Sequence, residues 1–303
     1  MNVLITGASG FVGSHLAAHL AARGDRVTGT YAGAGVEVPG VDLDPVDIVD
    51  RQGMMRLVCR VDPDAVIHLA GLSHVGASWR EPAEYFRVNV LGTETLLEAA
   101  AGRRVVVASS AEVYGAVPEG EQPIGEDRPL APASPYAMTK ACAERLALSR
   151  GAVVARAFNL IGPGQSPQFA LPAFARQLQA IARGEQEPVL RVGNLDARRD
   201  FVHVADGVRA YALLAERGEP GTAYNIARGR AMSIAEVLER LRSAAAVAAR
   251  VETDPERLRP TDLPLLAGDP GRLSALGWRP ERTVDEALAE LWESVLAATE
   301  ARR

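Results

Sequence analysis

Lysine is almost missing from this chain. Of its 33 lysines and arginines only Lys140 is a lysine, so every other strong cation is a guanidinium. Cysteine is equally scarce. Cys59 and Cys142 have no metal-ligand spacing, which excludes a disulfide framework and a paired-cysteine metal site and leaves each as a small buried hydrophobe. There is no basic excess: the net charge is −5 and the arginines are scattered among acids, so nucleic acid is not an expected partner. No apolar run is long enough to span a bilayer. The opening MNVLITG has no basic segment and reads as a buried strand and not as a signal peptide, so a cytoplasmic protein without a membrane contact is expected.

What remains is a globular composition. The 303 residues, 48% apolar and 23% charged, can build one large domain or two modest ones with a cleft. In the first half, short β-rich runs (2–6, 26–30, 65–70, 104–109 and 152–158) alternate with helical stretches around 11–24, 53–60, 83–100 and 135–149. Strands that are continuously apolar and alternate with helices imply an α/β fold, a parallel sheet covered on both faces. After about residue 158 a Gly/Pro loop, NLIGPGQSP, leads into an amphipathic helix near 171–184 and then into mixed short elements. The expected division is residues 1–158, with the chain returning near 200–217, and a smaller C-terminal α/β lobe over 159–303. Neither a repeat nor a metal-ligand cluster is apparent.

Directly after the first strand stands GASGFVG, with Gly7, Gly10 and Gly13. Glycines at a strand-to-helix turn let the backbone approach a pyrophosphate, which then rests on the unpaired N–H groups of the helix N-terminus. In an alternating βα pattern this predicts a Rossmann-type, doubly wound sheet that binds a dinucleotide. The end of the second strand, GTYAGAG, offers neither an acid for a ribose hydroxyl nor an arginine for a 2′-phosphate, so NAD and NADP both stay open. Asp47-Ile48 follows the next expected strand and can hold the adenine edge, or be a solvated loop.

The lone lysine closes SPYAMTK, four residues after Tyr136, so both lie on one face of a helix entered through Ser134-Pro135. A nearby ammonium favours a phenolate and makes the phenol a better proton shuttle. A compact ammonium also suits a cofactor ribose better than a planar guanidinium. At the end of the fourth long strand, ASSAEVYG supplies Ser109, Ser110 and Glu112, and a hydroxyl there can bond the reacting oxygen of a substrate.

With these motifs in place, the chain resembles the extended short-chain dehydrogenases/reductases of the nucleotide-sugar epimerase/dehydratase type. TGASGFVGSHL, HLAG, NVLGT, SSAEVYG, SPYAMTK, RAFNLIGPGQ, RRDFVHVAD and RPTDLPLLAGD fall in the family's order over nearly the whole length. The resemblance implies Ser110, Tyr136 and Lys140 as catalytic residues. It extends the NAD(P)H-binding set to Phe11, Val12, Tyr31, Leu69, Ala70, Gly71 and Asn89. It also implies a homodimer in which helices 83–100 and 135–149 form an intersubunit four-helix bundle; Leu96, Leu97, Leu146 and Leu148 suit that packing or, equally, cover the sheet.

The second half is similar to the GDP-mannose branch of the family, which implies a GDP-sugar substrate. By that resemblance Arg199 and Arg259 grip the diphosphate and Asn159 contacts it. Arg191 and Asn194 lie near the base, with Asp262 in the same group. Glu112 would wall the sugar site and His74 would line it, or be a satisfied loop histidine. A 4,6-dehydratase needs a carboxylate base, often a pair, just after the catalytic hydroxyl, where this chain has Ala111 and Glu112. The expected activity is reduction of the C4 ketone of GDP-4-keto-6-deoxy-D-mannose to GDP-D-rhamnose. GDP-mannose 4,6-dehydration, another 4-epimerase or dehydratase activity, and a non-catalytic dinucleotide sensor are the alternatives.

Overall fold

The computed structural model describes residues 1–31, 38–258 and 262–300. The first five apolar runs are strands β1 (Asn2–Thr6), β2 (Arg26–Thr30), β4 (Ala65–His68), β5 (Arg104–Ser110) and β6 (Val153–Ala157), with a short β3 (Asp42–Asp44) added between the second and third. Then follow β7 (Asn159–Ile161), β8 (Val189–Val192), β9 (Arg198–His203) and β10 (Ala223–Ile226). Seven of them form one parallel sheet in the order β10-β6-β5-β4-β1-β2-β3. The chain runs outward from β1 to β3 and then crosses to β4 on the other side. That reversal opens a crevice at the carboxyl ends of β1 and β4.

Alternate residues explain why both faces are covered. Val3 and Ile5 face helices Phe11–Ala22 and Val204–Arg217, whereas Leu4 and Val66 face helices Arg51–Val61, Gly92–Ala99 and Pro135–Ser149. Each fully buried Leu or Ile contributes roughly 1.5–3 kcal/mol. A second layer collects β7, β9, β11 (Ala231–Ser233) and β13 (Leu265–Leu266) in one sheet and pairs β8 with β12 (Arg250–Thr253). Helices Ala170–Ala182, Ile234–Ala245 and Val284–Glu300 pack on it. Helix Val204–Arg217 lies on the first helix, and β10 then adds to the edge of the large sheet beside β6.

The side chains decide between the two expected roles of the helix leucines and correct the expectation for the cysteines. Leu96 and Leu97 are buried and Leu146 and Leu148 partly buried in one cluster, so these leucines cover the sheet. The outward apolar residues of the same helices are Phe86, Leu91 and Met138. Cys59 and Cys142 are exposed and free, because both lie on outer faces of their helices. Among the described residues no helix is long and apolar enough to cross a membrane.

The carboxyl end of β4 carries a buried relay. His68 Nδ1 lies 2.6 Å from Thr6 Oγ1, and Nε2 lies 3.1 Å from Thr93 Oγ1. Burial, with help from the Lys140 charge, lowers this imidazole from 6.5 to about 3. In the unfolded chain it takes up a proton near 6.5, whereas the folded protein keeps the proton off. Its contribution is therefore complete above that value and is lost as pH falls toward 3, on the order of a few kcal/mol in all. Denaturation of His68→Gln across that window is expected to show a flatter acid limb than the parent. Parallel limbs would exclude this origin for acid sensitivity.

Candidate active site

The site begins with a turn that has no room for side chains. Gly7 has φ +73°, and a Cβ on it would lie 2.8 Å from the Ala70 Cα. A Cβ on Gly13 would lie 2.0 Å from the Gly7 carbonyl oxygen. The glycines thus let the first helix start against the loop that follows β4. Helix Phe11–Ala22 has neither a side-chain cap nor an acidic residue in its first turn, so its N–H groups and dipole are left for an anion. This cradle fits a dinucleotide diphosphate. Gly7, Gly10, Phe11, Val12, Gly13, Leu69 and Gly71 all line one cleft of about 820 Å³, a size suited to small-molecule and cofactor ligands.

Ser110, Tyr136 and Lys140 line the same cleft. Helix Pro135–Ser149 is started by Ser134, whose hydroxyl accepts from Ala137 N, with Pro135 in the first helical position. That fixes Tyr136 and Lys140 in its first two turns. Strand alternation separates the two serines of β5. Ser109 turns inward and donates to Glu144 Oε2 at 2.8 Å, while Ser110 faces the cleft and hydrogen-bonds the Tyr136 phenol. Behind them Glu144 pairs with Arg156, whose Nη1 also donates to Tyr114 Oη at 2.8 Å and to the Glu126 carbonyl at 2.8 Å.

The electrostatics differ from the sequence expectation. Burial pushes the Tyr136 phenol up to about 12, and the Glu112 charge adds to this against the Ser110 hydrogen bond. The Lys140 ammonium donates to the Ala108 carbonyl at 2.8 Å, and its burial lowers it to about 8. Lys140 therefore does not make Tyr136 acidic in this arrangement. The phenol is held protonated at neutral pH, ready to give a proton to a forming alkoxide.

Other expected residues divide between those in the cleft and those outside it. His74, Glu112, Asn159, Asn194, Arg199 and Asp262 line it. Asn89 does not: its side-chain amide holds Leu72 N and O and reaches Thr139, pinning the loop after β4. Ala70 contributes backbone, donating to Thr6 Oγ1 and closing on Gly7. Ile48 is buried against Gly92, and Asp47 is exposed, accepting from Val49 N. Tyr31 precedes the undescribed segment 32–37, and its N–H joins Asp44 O at the far edge of the sheet. Arg191 is exposed on β8, outside the lining, with its backbone held by Gln177. Arg259 lies outside the described residues.

Sequence reasoning missed Trp79, Arg80, Gln165, Gln168 and Arg257, all of which line the cleft. Only Gln165 carried a signal, as the last residue of the quoted GPGQ. Its Nε2 donates to Leu160 O at 3.1 Å, and its Oε1 has no donor among the described residues. His74 joins the two halves: its Nδ1 accepts from Ala77 N, so Nε2 carries the proton and meets the Gln168 carbonyl at 3.2 Å.

Residues 4–291 match the family described as GDP-mannose 4,6 dehydratase. The chain is 38% identical to a GDP-6-deoxy-D-mannose reductase of Pseudomonas aeruginosa, over 96% of this chain and 97% of that one. The solved structure of RMD from Pseudomonas aeruginosa complexed with NADPH superposes with a TM-score of 0.85 at 36% identity, covering 98% of this chain and 100% of that one. UDP-glucose 4-epimerase of Thermus thermophilus, in complex with NAD, gives a TM-score of 0.88 at 34% identity, with coverage of 98% and 100%. The chain belongs to the nucleotide-sugar epimerase/dehydratase family of short-chain dehydrogenases/reductases. It is accordingly an enzyme of the oxidoreductase class that this family represents.

The polar layer behind the serines is open to a direct test. Glu144→Ala leaves the buried Arg156 without its carboxylate and is expected to cost about 3–5 kcal/mol, read by urea denaturation. A loss below about 1 kcal/mol would mean that the pair is not needed to hold β5 and the helix together.

Proposed function

We propose that this protein uses NAD(P)H to reduce the C4 ketone of GDP-4-keto-6-deoxy-D-mannose, forming GDP-D-rhamnose. The observation that carries the reading is that Ser110, Tyr136 and Lys140 line the same cleft as the glycine cradle. The likeness to a GDP-6-deoxy-D-mannose reductase and to a fold neighbour solved with NADPH supports it. In this reading residues 1–158, with the stretch near 200–217, hold the dinucleotide, and 159–303 mainly hold the sugar nucleotide.

When bound, the nicotinamide supplies the hydride. Ser110 donates a hydrogen bond to the C4 oxygen as negative charge grows there, and Tyr136 transfers its proton to that oxygen. The phenolate left behind is stabilised by the Lys140 cation, whose amine is freed from the Ala108 carbonyl or shared with it. Glu112 adds a charge that keeps the phenol protonated before transfer.

A second reading rests on Glu112 itself, since one carboxylate next to Ala111 can still remove a proton from the sugar. Relatives named as 4,6-dehydratases and 4-epimerases belong to the same set of similar proteins. Incubation with GDP-mannose, with and without a separate GDP-mannose dehydratase, distinguishes the two. The reductase oxidises reduced cofactor only when the 4-keto sugar is supplied. Conversion of GDP-mannose by this protein alone, with no net cofactor change, reassigns it to the dehydratases. Tyr136→Phe is expected to lower kcat by roughly 10²–10⁴ while cofactor binding persists; parental turnover excludes the phenol as proton donor.

The outward Phe86, Leu91 and Met138 fit a homodimer built on helices 82–99 and 135–149. Sedimentation at micromolar concentration is expected to give a dimer, and a monomer alone removes this part of the reading.

A further inference from the structure

A buried phenol in the wall of the cleft lacks a partner. Tyr211 is 2% exposed and belongs to the core between helix Phe11–Ala22 and the large sheet, yet it also lines the cleft. Its hydroxyl makes no hydrogen bond to any described residue. The other buried tyrosines are all served. Tyr85 Oη donates to the His74 carbonyl at 2.6 Å and Tyr114 Oη to Asn225 Oδ1 at 2.7 Å. Tyr136 bonds Ser110, and Tyr224 Oη accepts from Glu219 N at 3.0 Å. A hydroxyl taken out of water without a bond carries its full desolvation penalty, which a phenylalanine in the same place would avoid.

The fold sets the direction of this side chain. Helix Val204–Arg217 begins at the carboxyl end of the large sheet, where a Cβ on Gly162 would be 2.5 Å from Val204 Cγ1 and 3.9 Å from Phe11 Cε2. It ends at the amino ends of β5 and β6: Arg104 Nη2 donates to the Leu214 carbonyl at 3.3 Å, and a Cβ on Gly218 would be 2.9 Å from Val153 Cγ1. Helical side chains lean toward the helix N-terminus, so Tyr211, two turns in, aims its ring back at the cleft. The helix packs on one face of the sheet and helix Pro135–Ser149 on the other. Tyr211 and Tyr136 therefore approach the ends of β5 and β6 from opposite sides. Burial, with a smaller effect of Tyr136, holds the Tyr211 phenol well above its ordinary value, so it is a hydrogen-bond donor.

We infer that the Tyr211 hydroxyl donates to the carboxamide oxygen of the nicotinamide and so positions the ring for reaction. The wall around it suits that ring: Phe11, Val12, Ala108 and Leu160 pack against the same core and also line the cleft. A nicotinamide is an apolar ring with a single polar substituent, and this wall offers a single polar tip. A sugar, with a hydroxyl on most of its carbons, would need more. The carboxamide is attached beside the ring carbon that carries the hydride. With that carbon near Ser110 and Tyr136, the carboxamide falls to the neighbouring wall. The inference rests on NAD(P)H binding in the cleft and not on the identity of the sugar, and Tyr211 takes no part in proton transfer.

The test compares the parent with Tyr211→Phe in two measurements. The first is calorimetric titration with matched pairs, NADH and ADP-ribose, NADPH and 2′-phospho-ADP-ribose. The variant is expected to lose roughly 3- to 10-fold in affinity for the dinucleotide that the parent prefers, and nothing for its nicotinamide-free counterpart. The second is thermal denaturation without cofactor. Here the variant is expected to match or exceed the parent, because the hydroxyl it lacks had no bond to lose. Parental affinity for the dinucleotide overturns the inference. So does an equal loss for both members of a pair, which puts the effect at the diphosphate cradle. A lower melting temperature without cofactor, or a variant that fails to fold, overturns it as well, since the hydroxyl then has a structural partner. A parent that binds neither dinucleotide sinks the cofactor reading itself, and the inference with it.

Discussion

Three backbone segments meet where no side chain can stand: the end of β1, the loop after β4 and the first turn of the first helix. Their contact is so close that a single methyl group on Gly7 or Gly13 would strike main-chain atoms. This constraint puts an anion-seeking helix terminus at the point where the strand order reverses. It also brings the end of β4 near Lys140, with the Gly71 Cβ position 3.7 Å from Nζ. The placement of Tyr136, Ser110 and Glu112 around one cleft depends on that crossing, because β5 and helix Pro135–Ser149 are packed on β4 and its neighbours.

The chemistry then follows from burial more than from charge pairing. Lys140 faces a backbone carbonyl and Tyr136 a serine, and both shifts have desolvation as their largest cause. A phenol held neutral is suited to giving a proton away, and an ammonium near its midpoint can follow the charge as it moves. Arg156 and Glu144 show the opposite case: two opposite charges are buried together, and their remaining donors and acceptors go to Ser109, Tyr114 and Glu126.

Features written in neighbouring residues were legible in the sequence. The glycine triplet, the Tyr-Lys spacing and the alternation of strands and helices each depend on local geometry, and each stands in the structure where the pattern put it. What was not legible depends on partners far along the chain. Nothing near Arg199 says that Asp262 will neutralise it, and nothing near Ile48 says that Gly92 will open a slot for it. Arg257 escaped notice for the same reason. Its place at the cleft comes from β8 and the turn after β12 folding against each other. The exposed cysteines were misjudged because residue type is a weak guide to which helical face a position occupies.

The solitary side-chain amine has a practical meaning beyond proton transfer. Reagents that acylate amines find arginines inert, so on this chain their one side-chain amine lies at the floor of the cleft, and it loses its proton near pH 8. Chemical labelling, which on most proteins blurs over many surface positions, is confined here to the Met1 α-amine and this one cleft position, so the side-chain adduct reports on whatever shields the cleft.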